Sequence, residues 1–481
     1  MEKILNYING EWLPPKGGKF LPNINPATGT EYSLVPDSDA MDADAAISAA
    51  QAAFPFWAKT SVRERSQLIR KLADLIKENA DRLSMDETTD NGKPLKLASE
   101  VDIPRSELNF RFFADLSISL HGDAYRSDYN TMSYTEYTPL GPVVCISPWN
   151  LPLYLLTWKI APALAAGCTV VAKPSEITPM TAYRLSQLVA QAGFPKGVLN
   201  FVHGRGSVLG EKLCTDPRVK AISFTGSTPT GRTISSLAAP LFKKLALEMG
   251  GKNPVVIFKD AEYEKMLTTL VRSSFSNQGQ ICLCGSRIFV EKSLYEQFKN
   301  DFTKRVLQLR VGDPLDKQSD LGAVVSEPHM EKILSYIKKA RDEGGRILIG
   351  GERLTLGNGY FIKPTVIENL DYQSCVNQDE IFGPVVTITP FDSEDQAVMM
   401  ANSTRYGLAA SVWTTDLNRS QRMARRIDSG IVWVNTWMNR DLRTPFGGVK
   451  ESGYGREGGV EALKFFSEVK TICIETSQEP T

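Results

Sequence analysis

The sequence predicts an α/β protein of doubly wound parallel sheets. Short apolar runs that do not alternate with polar residues recur along the chain, closed by Gly, Pro or Ser and separated by helix-type patterns. Such runs suit parallel strands buried on both faces, each delivering a loop at its carboxyl end. They fall into two series on either side of residue 250, and 481 residues exceed what one hydrophobic core fills, so two or more domains are expected.

In chain order, 62–83 places Leu68, Leu72, Leu75 and Ile76 on one face, the spacing of a long helix. The stretch 128–138 is rich in Tyr, Thr and Ser and reads as an exposed β-hairpin interrupting the first domain. From 141 to 158 the chain is least charged, carrying Pro142, Pro148, Asn150 and Pro152 and closed by Lys159, which suits a buried strand and loop better than a membrane span. The first strand series is 143–146, 169–172, 198–202 and 221–224. After its third member comes Gly204-Arg205-Gly206-Ser207-Val208-Leu209-Gly210, and after its fourth Gly226-Ser227-Thr228-Pro229-Thr230-Gly231. Both have the strand-to-helix setting of a dinucleotide loop, a setting that ordinary βα turns share. The second series, 254–258, 287–290, 385–389, 408–413 and 431–435, makes a second α/β domain. The tail 469–474 is β-branched, and it and the hairpin, as two unpaired edges, would invite association, so they are expected to form an oligomerisation element.

Composition narrows the partners. Lys plus Arg equals Asp plus Glu at 55 each, so nothing electrostatic favours nucleic acid or a membrane surface, and small molecules and other copies of the chain are the expected partners. No apolar core follows 1–6, so a secretory leader is not expected and the cytoplasm is the expected location. Seven irregularly spaced cysteines read as reduced thiols, and Cys145, Cys168, Cys214, Cys375 and Cys473 as small buried hydrophobes. Cys282 and Cys284 form a Cys-x-Cys pair, but with no second pair and no histidine cluster no metal is expected, and Cys284 reads as packing.

Four short segments carry the chemistry: Gly279-Gln280-Ile281-Cys282, Leu247-Glu248-Met249-Gly250-Gly251-Lys252-Asn253-Pro254, Pro148-Trp149-Asn150 and Glu380-Ile381-Phe382-Gly383-Pro384. In order and spacing, from about Tyr7 to Ile474, they resemble the aldehyde dehydrogenase superfamily. The resemblance implies a Rossmann-type NAD-binding domain over 1–120 and 140–250, a catalytic domain over 251–448 and the oligomerisation element over 121–139 and 466–481. It also implies that Cys282 is the nucleophile, Glu248 the base, and Asn150, with the Cys282 backbone N–H, the oxyanion donor. The residue types suit those roles. A soft thiolate adding to an aldehyde makes a thiohemiacetal able to release hydride, and the thioester left behind needs a deprotonated water. The three histidines, His121, His203 and His329, stand next to none of these segments, so a Cys-His hydrolase has no obvious base.

The resemblance implies NAD, held by Ile146, Trp149, Lys173, Ser175, Glu176, Gly206, Gly210, Phe224, Gly226, Ser227, Thr230, Gly250, Glu380 and Phe382. A carboxylate at Glu176 accepts hydrogen bonds from free ribose hydroxyls and repels a 2′-phosphate, which favours NAD over NADP. The presence of Glu248 separates this chain from coenzyme A-acylating relatives and predicts a free acid as product. Asp102-Ile103-Pro104-Arg105 and the stretch from Trp433 to Gly448 look like the 2-aminomuconate and 2-hydroxymuconate semialdehyde dehydrogenases. There Arg105 and Arg440 would grip a substrate carboxylate beside Asn150, although an Arg next to Asp102 or Asp441 is also the pattern of a surface ion pair. The chain has Val460 where some members carry an extra acid, so a second proton relay through that position is not expected. A general or betaine-type aldehyde dehydrogenase, a cofactor-independent cysteine esterase and a non-catalytic structural relative are the competing readings. A homodimer or homotetramer is expected.

Overall fold

The computed structural model describes residues 1–127 and 130–475. Its larger sheet has eight strands in the order Gly453–Tyr454, Lys244–Glu248, Ala221–Thr225, Pro142–Ile146, Thr169–Lys173, Leu199–Phe201, Asn6–Ile8 and Glu11–Leu13. The strands from Lys244–Glu248 through Leu199–Phe201 run parallel, and both edges are antiparallel. Neighbouring residues of one strand enter opposite cores: Val143, Cys145, Val170 and Ala172 pack with the helices on one face, Val144, Val171, Ile222 and Phe224 with those on the other. That explains the unbroken apolar runs, each buried Val or Ile contributing about 1.5–3 kcal/mol. From Pro142–Ile146 the chain winds outward through Thr169–Lys173 and Leu199–Phe201, then returns to lay Ala221–Thr225 on the other side. The crevice opens at this reversal, outside the carboxyl ends of Pro142–Ile146 and Ala221–Thr225.

The second sheet has seven strands in the order Arg346–Ile349, Thr365–Glu368, Val385–Phe391, Gly285–Glu291, Asn253–Ile257, Ala409–Trp413 and Ile431–Val434, parallel except for the first. One short turn, 249–252, joins Lys244–Glu248 of the first sheet to Asn253–Ile257 inside the second. Glu248 is therefore the last strand residue of one sheet, and Cys282 lies on the loop entering the Gly285–Glu291 strand of the other.

Local structure departs from expectation at five points. The helix expected over 62–83 is two helices, Val62–Glu78 and Ala80–Asn91, broken at Asn79, whose Nδ2 donates to the Leu75 carbonyl at 2.9 Å. Lys244–Glu248 was not foreseen as a strand, because its charged ends hide a core-facing middle, Ala246 and Leu247. The hairpin and the tail are not two separate open edges. Ala124–Arg126 pairs with Thr131–Pro139, and Ser467–Glu475 runs antiparallel along the whole of Thr131–Pro139, making one three-stranded sheet. Asp128, Tyr129 and 476–481 lie outside the described residues. Cys473, on that last strand, is exposed rather than buried, and Cys375 is only partly covered. Residues 449–465, assigned to no unit beforehand, return to the first sheet: Gly453–Tyr454 pairs with Leu247 and Glu248, and Leu463 joins the core under Pro152–Ala166. Among the described residues no helix is long and apolar enough to cross a membrane.

Candidate active site

The Cys282 loop leaves helix Tyr263–Phe275 through three successive left-handed residues, Asn277, Gln278 and Gly279. Gly279 is required there, since a Cβ would stand 2.2 Å from the Gly383 carbonyl oxygen. The loop is tied to the second sheet by Asn253, whose Nδ2 donates to the carbonyls of Cys282 at 2.7 Å and Cys284 at 2.9 Å. Cys282 lines a cleft of about 210 Å³ together with Trp149, Asn150, Thr225, Met249, Glu380 and Phe382. Burial, then the carboxyls of Glu380 and Glu248, push its thiol up, with only Arg440 opposing, so the resting group keeps its proton. His329, remote from every motif in sequence, also lines this cleft, edge-on to Trp149 at 5.0 Å. Its Nε2 is bonded to the Phe382 carbonyl at 2.7 Å, and burial holds it neutral at about 4, so it is occupied with the cleft wall.

Glu248 is almost fully buried, and neither carboxyl oxygen has a hydrogen-bond partner. Burial and the neighbouring Glu457 raise it well above the usual carboxylate range, against the weaker pull of Lys159, Arg456 and Arg440. Once ionised, an unpartnered carboxylate of this kind is a strong base toward water, and Gly447 leaves it room, since a Cβ there would meet Glu248 Oε1 at 2.7 Å. Behind it lies a connection that the sequence reading missed. Lys159 Nζ bonds Glu457 Oε1 at 2.5 Å and Ser223 Oγ at 3.2 Å, all three buried. Lys159 closing the uncharged stretch was the available signal. Val460 is 37% exposed and has no part in this chain.

Asn150 stands at the carboxyl end of Pro142–Ile146, just before helix Pro152–Ala166. Its Nδ2 donates to the Gln280 carbonyl at 2.8 Å, which binds the two catalytic loops together and leaves its second amide N–H for the cleft. Glu380 approaches from the second sheet. Its Oε1 accepts the Gly251 N–H at 2.9 Å, and a Cβ at Gly250 would overlap its Oε2. Phe382, left-handed at φ 61°, stands edge-on to Trp149 at 5.2 Å.

A second cleft, about 430 Å³, lies between helices Gly206–Thr215 and Thr228–Ala238. Ile146, Lys173, Gly206, Gly210, Phe224 and Thr230 line it as expected. Leu213, Thr233, Ile234 and Leu237 do so unexpectedly, although their helical spacing from Gly210 and Thr230 was legible. Ser227 caps the second helix, its Oγ accepting the Thr230 N–H, and this helix N-terminus borders both clefts, Ser227 lining the first and Thr230 the second. Gly226 is packed on the Phe224 ring, 2.5 Å from where its Cβ would be. Lys173 bonds Glu176 at 2.8 Å. Burial alone would raise Glu176, but Lys173 and the Glu176 and Gly206 amides outweigh it, and the carboxylate stays ionised. Ser175 is turned to the chain, its Oγ accepting the Ile177 N–H at 3.3 Å. An apolar slot, a helix N-terminus and a carboxylate beside it fit an adenosine, a pyrophosphate and a ribose.

Arg105 and Arg440, far apart in the chain, both stand against Trp158, at 5.3 and 5.7 Å from its ring. Tyr154 supports the first at 5.0 Å and Phe446 the second at 3.8 Å. The suspected ion pairs do not form: Asp102 bonds Lys93, and Asp441 bonds Arg443, each at 2.5 Å. Among the described residues no carboxylate pairs with either arginine, and Arg105 Nη2 is buried without a partner. Two adjacent cations held only by aromatic faces and Asn109 make an anion site.

Comparison with known proteins agrees with this geometry. The model of the aldehyde dehydrogenase family matches residues 12–472. The chain belongs to that family. Among curated aldehyde dehydrogenases, the 2-aminomuconic semialdehyde dehydrogenase of Bos taurus is 48% identical over 477 residues, 98% of each chain. The 2-hydroxymuconic semialdehyde dehydrogenase of a Pseudomonas strain is 42% identical, over 99% of this chain and all of its own. The NAD+ complex of a Bacillus cereus aldehyde dehydrogenase superposes with a TM-score of 0.96 at 39% identity, covering 98% of this chain and 96% of that one. Membership makes the protein an oxidoreductase acting on an aldehyde group.

Proposed function

We propose that the protein uses NAD to oxidise a semialdehyde carrying a carboxylate at its far end, of the 2-aminomuconate or 2-hydroxymuconate semialdehyde type, to the free diacid. The observation that carries the reading is the pair Arg105 and Arg440, half-buried against aromatic rings and, among the described residues, in ion pair with no carboxylate. A betaine-type substrate, with its fixed positive charge, would be repelled by the same pair. The named substrates of the relatives are in keeping with this.

The residues would act in sequence. Arg105 and Arg440 hold the carboxylate, which points the aldehyde carbon at Cys282. The thiol gives its proton to water at the open cleft and Sγ adds to that carbon, while the second N–H of Asn150 and the Cys282 backbone N–H receive the oxygen's charge; one such donor is worth roughly 2.7–4 kcal/mol. NAD, when bound, would supply the hydride acceptor for that carbon. Ile146, Lys173, Glu176, Gly206, Gly210, Phe224 and Thr230 would hold its adenosine half, Gly226 and Ser227 its phosphates, and Trp149, Gly250, Glu380 and Phe382 its nicotinamide half. Glu248 then takes a proton from water, the hydroxide cleaves the thioester, and the acid leaves as the Cys282 thiol is restored. Lys159 and Glu457 give that proton a way on from Glu248. The test is NADH absorbance with a panel of semialdehydes. Turnover confined to carboxylate-bearing members supports the reading, and equal turnover of neutral aldehydes of the same length rejects the substrate class. We further propose a homodimer or homotetramer assembled through the sheet of Ala124–Arg126, Thr131–Pro139 and Ser467–Glu475, which leaves Tyr125, Met132, Val469 and Ile474 exposed.

A further inference from the structure

Beneath the oxyanion donor lies a buried charge cluster that none of these steps uses. Lys93 is 0% exposed, and its ammonium spends all three donors: on Asp102 Oδ2 at 2.5 Å, on the Asn150 carbonyl at 3.1 Å and on Glu87 Oε1 at 3.4 Å. Two amides crowd onto the same carbonyl, Asn277 Nδ2 at 3.0 Å and Asn91 Nδ2 at 3.4 Å. Asn277 Nδ2 also reaches the Gln280 carbonyl at 3.4 Å, the atom to which the Asn150 side chain donates. Glu87 Oε2 accepts from Leu153 N at 3.4 Å and Thr181 Oγ1 at 3.0 Å, which fixes the start of the helix that follows Asn150.

Stability does not explain such a cluster. A buried ion triad is no better for folding than well-packed apolar residues of the same volume, and a carbonyl oxygen has two lone pairs, not places for an ammonium and two amides. Orientation does explain it. With its carbonyl clamped by Lys93, the following helix start held by Glu87 and its side chain held by Gln280, Asn150 has one available direction for its remaining amide N–H. We propose that Lys93 is a positioning residue that sets the peptide plane of Asn150, so that its amide meets the oxyanion, and that Asn277 holds the Cys282 side of the same bracket. The inference rests on Asn150 being the oxyanion donor.

The test is steady-state NADH production at saturating NAD in the full-length protein, with Lys93→Met and Asn277→Gly made singly and in an Asn150→Ala background. Glycine suits position 277 because its φ is 51°. An interaction made only in the transition state should cost kcat about 10- to 100-fold in Lys93→Met with KM held. In the Asn150→Ala background the same substitution should then change kcat by less than about twofold, since nothing is left to position. Losses that multiply in full in that background, or a change in KM alone, would overturn the proposal. Should Lys93→Met not fold, Asn277→Gly carries the same cycle with the same two outcomes. An unaltered kcat in Asn150→Ala itself would instead show that the donor role was misassigned.

Discussion

Burial raises both the Cys282 thiol and the Glu248 carboxyl, yet the proposed steps need them ionised at different moments. Cys282→Ala should abolish NADH formation and ester cleavage together, because no covalent intermediate can form. Glu248→Gln should give one burst of NADH and stall as thioester, which rapid-mixing absorbance would separate from steady turnover. The same burial has a consequence for stability. A carboxyl raised on folding holds its proton more tightly in the folded state, so its contribution is complete below the ordinary carboxylate range and is lost as pH rises through the raised value. Glu248→Gln removes that loss: its Tm should exceed the parent's at pH 8, with the gap closing by about pH 4. At Glu176 the sign is reversed. Lys173 keeps it ionised, so NADP meets a fixed negative charge, and Glu176→Gln should raise kcat/KM for NADP relative to NAD. Equal use of both cofactors by the parent would refute that reading.

At the scale of elements, helix Ile103–Ile118 and the loop after strand Ile431–Val434 each bring one arginine to Trp158. Gripping a carboxylate far from the reacting carbon helps ground and transition states alike, so Arg105→Ala or Arg440→Ala should raise KM more than it lowers kcat. The loss, roughly 2–5 kcal/mol for a desolvated charged pair, should be confined to carboxylate-bearing semialdehydes. A neutral aldehyde losing as much would make both arginines structural. Much of this scale was legible in the chain. Runs such as Val143-Val144-Cys145-Ile146 announce a strand because both faces are buried, and Ser227 with Gly226 before a helix announces an anion-facing turn. Lys244–Glu248 was not legible, since its charged ends face partners set by the fold, Glu468 of the last strand for Lys244 and Glu457 for Glu248. His329, Lys159 and Glu457 escaped for the same reason: each is defined by what lies across from it, and local pattern carries no information on that.

For the whole molecule, the proposed function depends on two sheets meeting at one four-residue turn and on the C-terminal segment coming back to the first sheet. Asn150 and Glu248 arrive from one sheet, Cys282 and Glu380 from the other, and Glu457 from residues that follow both. The four motifs could be read in order along the chain, but not the pairing of Gly453–Tyr454 with Leu247 and Glu248, nor that of the tail with the hairpin, because strand pairing over such distances is decided by which edges remain open. Deleting 467–481 should leave Thr131–Pro139 without its partner and lower the mass measured by light scattering, while an unchanged oligomer would place the interface elsewhere.

The strand Ser467–Glu475 also sets a schedule for synthesis. Ser133 and Cys473, which meet in the three-stranded sheet, are 340 positions apart, and Lys159 waits 298 positions for Glu457. At about 5–20 residues per second, the hairpin edge leaves the ribosome roughly 17–70 seconds before its partner. Throughout that interval the nascent chain offers an open strand to any other nascent chain on the same message, and until Glu457 emerges Lys159 lacks its partner behind Glu248. A half-made polypeptide can thus be captured by a neighbour or a chaperone, but it cannot yet turn over an aldehyde.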